Sequence, residues 1–258
     1  MALVFSHPGF AGHVTPPGHP ERVDRLRAVE AGLVGLSVER REAVLADLDD
    51  VTRCHPRAYA DRVAAAVPSA GWAQLDGDTW LSPGSLDAAL RAVGGAGAAV
   101  DAVLTGVADR AFVACRPPGH HAEAETAMGF CLFGTVAIAA KRALDVHGLS
   151  RVAIVDFDVH HGNGTQDIFY DDANVFYVSL HQWPLYPGTG RPDERGAVHE
   201  HEQEGQRVKR CMHQSRPPSL GFAVGHPVVL DDVVAEEVAE ELGHGRNSGS
   251  SGMSMPSR

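Results

Sequence analysis

Three short apolar runs, residues 111–115, 151–155 and 175–180, are separated by stretches with helical signals. This alternation constrains the fold more than any other feature of the chain. Strands so short and so uniformly apolar are buried, and strands separated by helices pair in parallel. The fold class is therefore α/β, a parallel sheet with helices on both faces. The chain has 258 residues, enough for one large domain of this kind with a sizeable core.

The remaining elements fall around that frame. Residues 2–5 read as a strand. Pro20 and Glu21 open a helix that puts Val23, Leu26, Val29 and Leu33 on one face. A second helix is expected from about residue 56 to 67, with Tyr59 and Val63 together. Residues 71–84 read as loop, and Ser85 as the cap of an Ala-rich helix reaching Leu104. Gly94, Gly95 and Gly97 inside that helix mark close packing or a break. Residues 132–147 form a further helix, with Gly148 at its C-cap.

After Gly196 the strand pattern stops. Residues 228–242 read as an acidic amphipathic helix, with Leu230, Val234, Val238 and Leu242 spaced by four. Residues 245–258 are rich in Gly and Ser and are expected to be disordered. The chain is thus divided into a domain over 1–196 and a divergent tail over 197–258.

Charge and cysteine usage narrow the function classes. There are 22 Lys plus Arg against 33 Asp plus Glu, a net charge of −11. That balance argues against direct nucleic-acid binding and is compatible with a basic substrate. Cysteines 54, 115, 131 and 211 form no CxxC pair, so free thiols in a reducing cytoplasm are expected. The N-terminal run 1–5 is too short for a signal peptide, and no long apolar stretch predicts a membrane span.

The chemistry concentrates where strands end. Residues 152–155 are apolar and run into Asp156, Asp158, His160 and His161, then Gly162-Asn163-Gly164. In open α/β sheets, ligands bind beyond the carboxyl ends of strands. Positions 156, 158 and 160 are two apart, so an extended chain presents all three side chains on one side, with Phe157 and Val159 pointing into packing. Two carboxylates and an imidazole on one edge make a divalent-metal half-site; the plain alternative is a solvated polar strand end. A second segment, Arg116-Pro117-Pro118-Gly119-His120-His121, follows the strand at 111–115. Pro-Pro-Gly bends the chain and can bring both histidines to one pocket, where they suit proton transfer near neutral pH; surface histidines after a turn are the alternative. Gly129-Phe130-Cys131 precedes a helix, and Ser179-Leu180-His181 is followed by Tyr186-Pro187-Gly188-Thr189-Gly190. Taken alone, Phe130 reads as core and the second of these as a turn.

Together these segments resemble the histone deacetylase family, in its class II-like and bacterial amidohydrolase branch. RPPGHHA, GFC, DFDVHHGNGTQ, SLH and YPGTG occur in order, with HPERVDRL at 19–26 and DGDT at 76–79. The resemblance spans roughly residues 1–196. It implies the arginase/deacetylase fold with a C-terminal portion missing, and zinc-dependent hydrolysis of an N-acetyl amide, acetyl-lysine or an acetylated polyamine, to acetate and a free amine. Asp158 and His160 match two zinc ligands. His120 and His121 match the paired catalytic histidines, supported by Asp156 and Asn163 respectively. Gly129, Phe130 and Tyr186 match the substrate tunnel. Asp156, Asp158, His160, Ser179 and Leu180 match a monovalent-cation site, often potassium. Asp76 and Asp78 could steer a cationic substrate, or be ordinary turn acids.

The sequence also departs from the family. The third zinc ligand of the family is an Asp in a later Gly-Phe-Asp-type motif, whereas Gly221-Phe222 is followed here by Ala223. The transition-state Tyr of the family lies in a later Gly-Gly-Tyr-type loop, whereas the last tyrosine here is Tyr186. A replaced C-terminus, from a shifted reading frame, is the expectation this motivates, and with it impaired activity. The alternative function is a degenerate member that binds acylated ligands or partners without turnover. A two-metal, arginase-like hydrolase is disfavoured by the histidine pair after Pro-Pro-Gly.

Overall fold

A computed structural model describes residues 1–191 and 194. Its parallel strands form two sheets. The first has the order β2-β1-β5, with β1 (Ala2–Ser6) between β2 (Glu39–Glu42) and β5 (Arg110–Val113). The second pairs β6 (Val152–Asp156) with β7 (Val175–Ser179). All these pairings are parallel, as the alternating sequence predicts.

Helices flank the sheets and join them. The long helix α4 (Ser85–Leu104) and α5 (Thr135–Asp145) carry mostly alanines on their buried faces. Small side chains let backbones approach closely. Ala99 and Ala102 of α4 pack on Leu3 and Phe5 of β1. Ala96 and Val100 pack with Ala137 and Ala140 of α5, and through them with Val152, Ile154, Val175 and Tyr177. Gly94 and Gly95 do not break α4. A Cβ on Gly94 would lie 2.2 Å from the Val44 carbonyl oxygen, so the glycine marks close packing.

A third core cluster joins Tyr59, Ala60 and Val63 of α3 (Arg57–Ala65) to Leu81, Val93, Leu132 and Phe133, with Val51 of the short α2 (Leu48–Val51). The expected Tyr59 and Val63 face of α3 is the one buried. Gly148 lies at φ 70° just past α5, and its N–H returns to the Leu144 carbonyl.

Several expectations need correction. Helix α1 (Val23–Gly32) begins two residues after Glu21; its expected face of Val23, Leu26, Val29 and Leu33 is half-buried, with Leu26 against the Phe10 cluster. Glu21 is instead a buried partner of Arg116. Residues 71–84 contain a two-stranded hairpin, β3 (Ala73–Gln74) with β4 (Trp80–Leu81), because Asp76 accepts from the amides of Asp78 and Thr79 and closes its turn. The N-cap of α4 is Gly84; Ser85 lies inside the helix, and its hydroxyl serves His13 and the Ser82 amide. Strand β2, Glu-Arg-Arg-Glu, has no apolar signature and could not be read from pattern. Finally, Phe157 and Val159 are 49% and 42% exposed rather than packed.

No helix among the described residues is long and apolar enough to cross a membrane. The tail over 197–258, the helix at 228–242 and the Gly221-Phe222-Ala223 segment lie outside the described residues.

Candidate active site

The site forms where the segments following β5, β6 and β7 meet. The segment after β5 is anchored at its start. The Arg116 guanidinium is buried and grips both carboxylate oxygens of Glu21, at 2.6 and 2.5 Å, while its remaining amino group donates to the carbonyls of Phe10 and His13. Burial alone would raise the Glu21 carboxyl. The hydrogen bonds and charges of His13 and Arg116 outweigh it and hold the group at about 2. From this anchor, Pro-Pro-Gly turns the chain so that His120 and His121 lie side by side, ring centroids 3.9 Å apart. The bend thus brings both adjacent histidines into one pocket.

Each histidine has its own partner on Nδ1. His120 Nδ1 is 2.8 Å from Asp156 Oδ2, and His121 Nδ1 is 2.8 Å from Asn163 Oδ1. All four side chains are buried. Asn163 begins the short helix α6 (Asn163–Ile168), which reaches His121 because Gly164 lets the backbones touch: a Cβ there would lie 2.2 Å from the Ala122 carbonyl oxygen. The two dyads differ in charge. Burial disfavours a cationic His120, but the Asp156 carboxylate overcomes this and raises its pKa. Burial lowers His121, His120 adds to the effect, and its partner Asn163 brings no charge, so it falls to about 3. The two rings are therefore biased in opposite directions, His120 towards its cationic form and His121 towards its neutral form.

Beyond Asp156 the chain does not stay extended. The Asp158 amide donates to Asp156 Oδ1 and the His160 amide to Asp158 Oδ1, so each carboxylate curls the backbone that follows it. This curl is why Phe157 and Val159 point to solvent. Asp158 Oδ1 and His160 Nδ1 nevertheless come within 3.0 Å of each other. An oxygen and an imidazole nitrogen this close suit two ligands of one zinc ion, which takes three protein ligands in catalytic sites. Among the described residues, no group of three His, Cys, Asp or Glu is placed to hold a metal. The described residues thus fit part of a zinc site.

Tyr186 and Gly129 lie against the histidines. The Tyr186 ring meets His121 edge-on at 5.1 Å and His160 at 6.1 Å. Gly129 lies behind His121: a Cβ there would be 2.4 Å from its ring, and φ is 56°. Phe130 also has positive φ, 71°, and is held by its amide on the Thr79 hydroxyl, with its ring against His19 at 5.0 Å. The ring contact of Phe130 is thus with His19. Ser179 pairs with Asp156 across β6 and β7, and the Leu180 amide donates to the Asp156 carbonyl, so the three are neighbours. The Ser179 hydroxyl is engaged by His181 Nδ1 at 2.9 Å.

Other residues contribute without having been singled out. The Tyr177 hydroxyl lies 3.1 Å from Asp156 Oδ2 and from the Gly162 carbonyl. Asn163 Nδ2 donates to Glu123 Oε1 at 2.7 Å. His161, the second histidine of its pair, bridges Thr189 and Gln166. Nothing in a single sequence marks Tyr177 or Glu123, since each acts across a tertiary contact.

Comparison with known proteins agrees with this geometry. The profile of the histone deacetylase domain matches residues 19–217. A probable deacetylase of Archaeoglobus fulgidus is 38% identical over 244 residues, covering 92% of this chain and 65% of its own length. The histone deacetylase-like amidohydrolase of Pseudomonas aeruginosa is 43% identical over 180 residues, 70% of this chain and 47% of its own. The crystal structure of the HDA15 HD domain superposes with a TM-score of 0.72 at 35% identity, covering 76% of this chain and 60% of that one. The chain spans about half to two-thirds of the length of these relatives.

Proposed function

The chain belongs to the histone deacetylase family, and from that premise we propose that it is a zinc-dependent amidohydrolase cleaving an N-acetyl amide to acetate and a free amine. The observation that carries the reading is the pair of unlike dyads, His120 on Asp156 and His121 on Asn163, opening beside Asp158 and His160.

Asp158 and His160 would hold the zinc, which when bound polarises an amide carbonyl and makes water more acidic. His121, kept neutral chiefly by burial, takes a proton at Nε2 from the attacking water and returns it to the departing amine. His120, biased towards its cationic form by Asp156, would place positive charge where the carbonyl oxygen becomes negative. Gly129, Phe130 and Tyr186 frame the approach of the acyl chain. Asp156, Ser179 and Leu180 would seat a monovalent cation, potassium, behind the dyad. The substrate class is acetyl-lysine or an acetylated polyamine, and nucleic acid is no direct partner. Among the described residues the thiols of Cys54, Cys115 and Cys131 are free, which suits a cytoplasmic setting.

The test is acetate release from an acetyl-lysine peptide and an acetylated polyamine by the zinc-supplemented chain. Release should require metal and fall about 10²–10⁴-fold in His121→Ala, the usual worth of a positioned acid–base group. Release indifferent to a chelator and to His121→Ala would overturn the reading. A second reading is binding of acylated ligands without turnover, favoured by one observation: among the described residues no third His, Cys, Asp or Glu joins Asp158 and His160 to hold a metal. Saturable binding of the acetylated peptide with no acetate released would select it.

A further inference from the structure

We infer that Glu123 is a positioning residue that fixes the tautomer of His121 by dictating which way the Asn163 amide faces. The inference rests on the reading of His121 as the base and adds a member to its dyad.

The argument begins with what each atom can do. A side-chain amide has an acceptor end and a donor end of nearly the same shape, so shape alone does not orient it. A carboxylate near neutral pH only accepts, and a thioether sulfur only accepts. The end of Asn163 that faces Glu123 Oε1 at 2.7 Å and Met128 Sδ at 3.3 Å must therefore be the amino end. The carbonyl end is then directed at His121 Nδ1, 2.8 Å away. A carbonyl only accepts, so the neutral ring carries its proton on Nδ1. Its Nε2 keeps the lone pair that a general base needs.

Glu123 is well placed for this task. A turn holds its backbone, with Glu123 N–H donating to the Thr126 carbonyl at 3.0 Å. The next amide, Ala124 N–H, donates to Asp167 Oδ2 on α6, the helix that carries Asn163. The carboxylate and the amide it orients are thus tied to one rigid unit. With Asn163 reversed, its carbonyl would face the Glu123 carboxylate, two acceptors with no proton between them. His121 would then have to accept at Nδ1, and its Nε2 would be protonated and useless as a base.

The test reads the tautomer directly, by nitrogen-15 NMR of the His121 ring in the full chain without substrate. The unsubstituted protein should show Nδ1 protonated and Nε2 bare. In Glu123→Gln the side chain is nearly isosteric but its amide can accept or donate, so the bias is lost and the Nε2–H form should rise. In Glu123→Leu the acceptor is gone, and the Nε2–H form should rise roughly ten-fold, the change expected for one charge-assisted hydrogen bond. Glu123→Gln keeps the test decisive should the leucine variant misfold. An Nε2–H ring in the unsubstituted protein, or a tautomer unchanged in the folded variants, would overturn the inference. The failure of the functional reading is distinguishable: a chain that releases no acetate while Glu123→Gln shifts the tautomer loses the deacetylase proposal and keeps this one.

Discussion

The Tyr177 hydroxyl lies 3.1 Å from Asp156 Oδ2, the same oxygen that holds His120 Nδ1 at 2.8 Å. The contact follows from sheet register, which pairs Ile154 with Tyr177 and Asp156 with Ser179, so Tyr177 faces the end of the neighbouring strand. Tyr177→Phe keeps the ring in its apolar cluster and deletes a donor to a buried carboxylate. The variant should lose about 1–2 kcal/mol of stability, read from urea unfolding. An unchanged midpoint would mean that Asp156 does not depend on this hydroxyl.

Acid should unfold the protein through Glu21. Its carboxyl is held at about 2 in the folded chain against an ordinary value of 4.5. A depressed folded value means stability that is fully present above pH 4.5 and is lost as the pH falls towards 2. The difference corresponds to about 3 kcal/mol for so deeply buried a group. Stability measured against pH should therefore drop across that window in the parent chain. Glu21→Gln should be less stable at pH 7, because Arg116 is left as a buried charge, and its curve should be flatter between pH 4.5 and 2. Parallel curves would remove Glu21 from the acid response.

The site was legible in part. The Pro-Pro-Gly bend and the strand end at 156 marked where His120, His121, Asp156, Asp158 and His160 gather, whereas the pairing of His120 with Asp156 and of His121 with Asn163 was legible only through the family resemblance. The partners that reach the site from elsewhere were not legible. Glu21 looks like a helix-start acid, and only the fold reveals that Arg116, 95 residues on, claims it. Phe157 and Val159 fit an alternating strand, but backbone-capping carboxylates at 156 and 158 end the strand first. Strand β2 was hidden because an edge strand made of Glu and Arg carries no apolar period; such charges protect an exposed edge from further pairing.

Two glycines of α4 should respond oppositely to alanine. In a helix interior Gly→Ala ordinarily stabilises by about 0.5–1 kcal/mol. At Gly97 the new Cβ would meet only the flexible Arg142 side chain, at 3.3 Å, so Gly97→Ala should be neutral or stabilising. At Gly94 it would lie 2.2 Å from the Val44 carbonyl oxygen and 2.8 Å from the Ala46 nitrogen, both backbone atoms. Relief requires moving the segment after β2, and Gly94→Ala should destabilise by about 1–3 kcal/mol. Thermal unfolding of the two variants tests the sign, and a stabilised Gly94→Ala would contradict the close packing of α4 on that segment.

Metal affinity bears most directly on the proposed chemistry. Asp158 Oδ1 and His160 Nδ1 stand 3.0 Å apart, and if they are two ligands of one zinc ion, removing either must weaken binding. Loss of even an outer-shell partner typically costs about 10–100-fold in metal affinity, so Asp158→Ala and His160→Ala should each cost at least that much. Titration of zinc against a competing chelator measures it, with Asp61→Asn on the exposed face of α3 as a control that should not change. Ligand loss also separates the two functional readings. Tight binding by the parent chain that depends on Asp158 requires a further ligand from outside the described residues and favours turnover. Binding no tighter than in Asp158→Ala leaves a pocket of paired histidines without its Lewis acid, for which recognition of an acylated amine is the chemistry that remains.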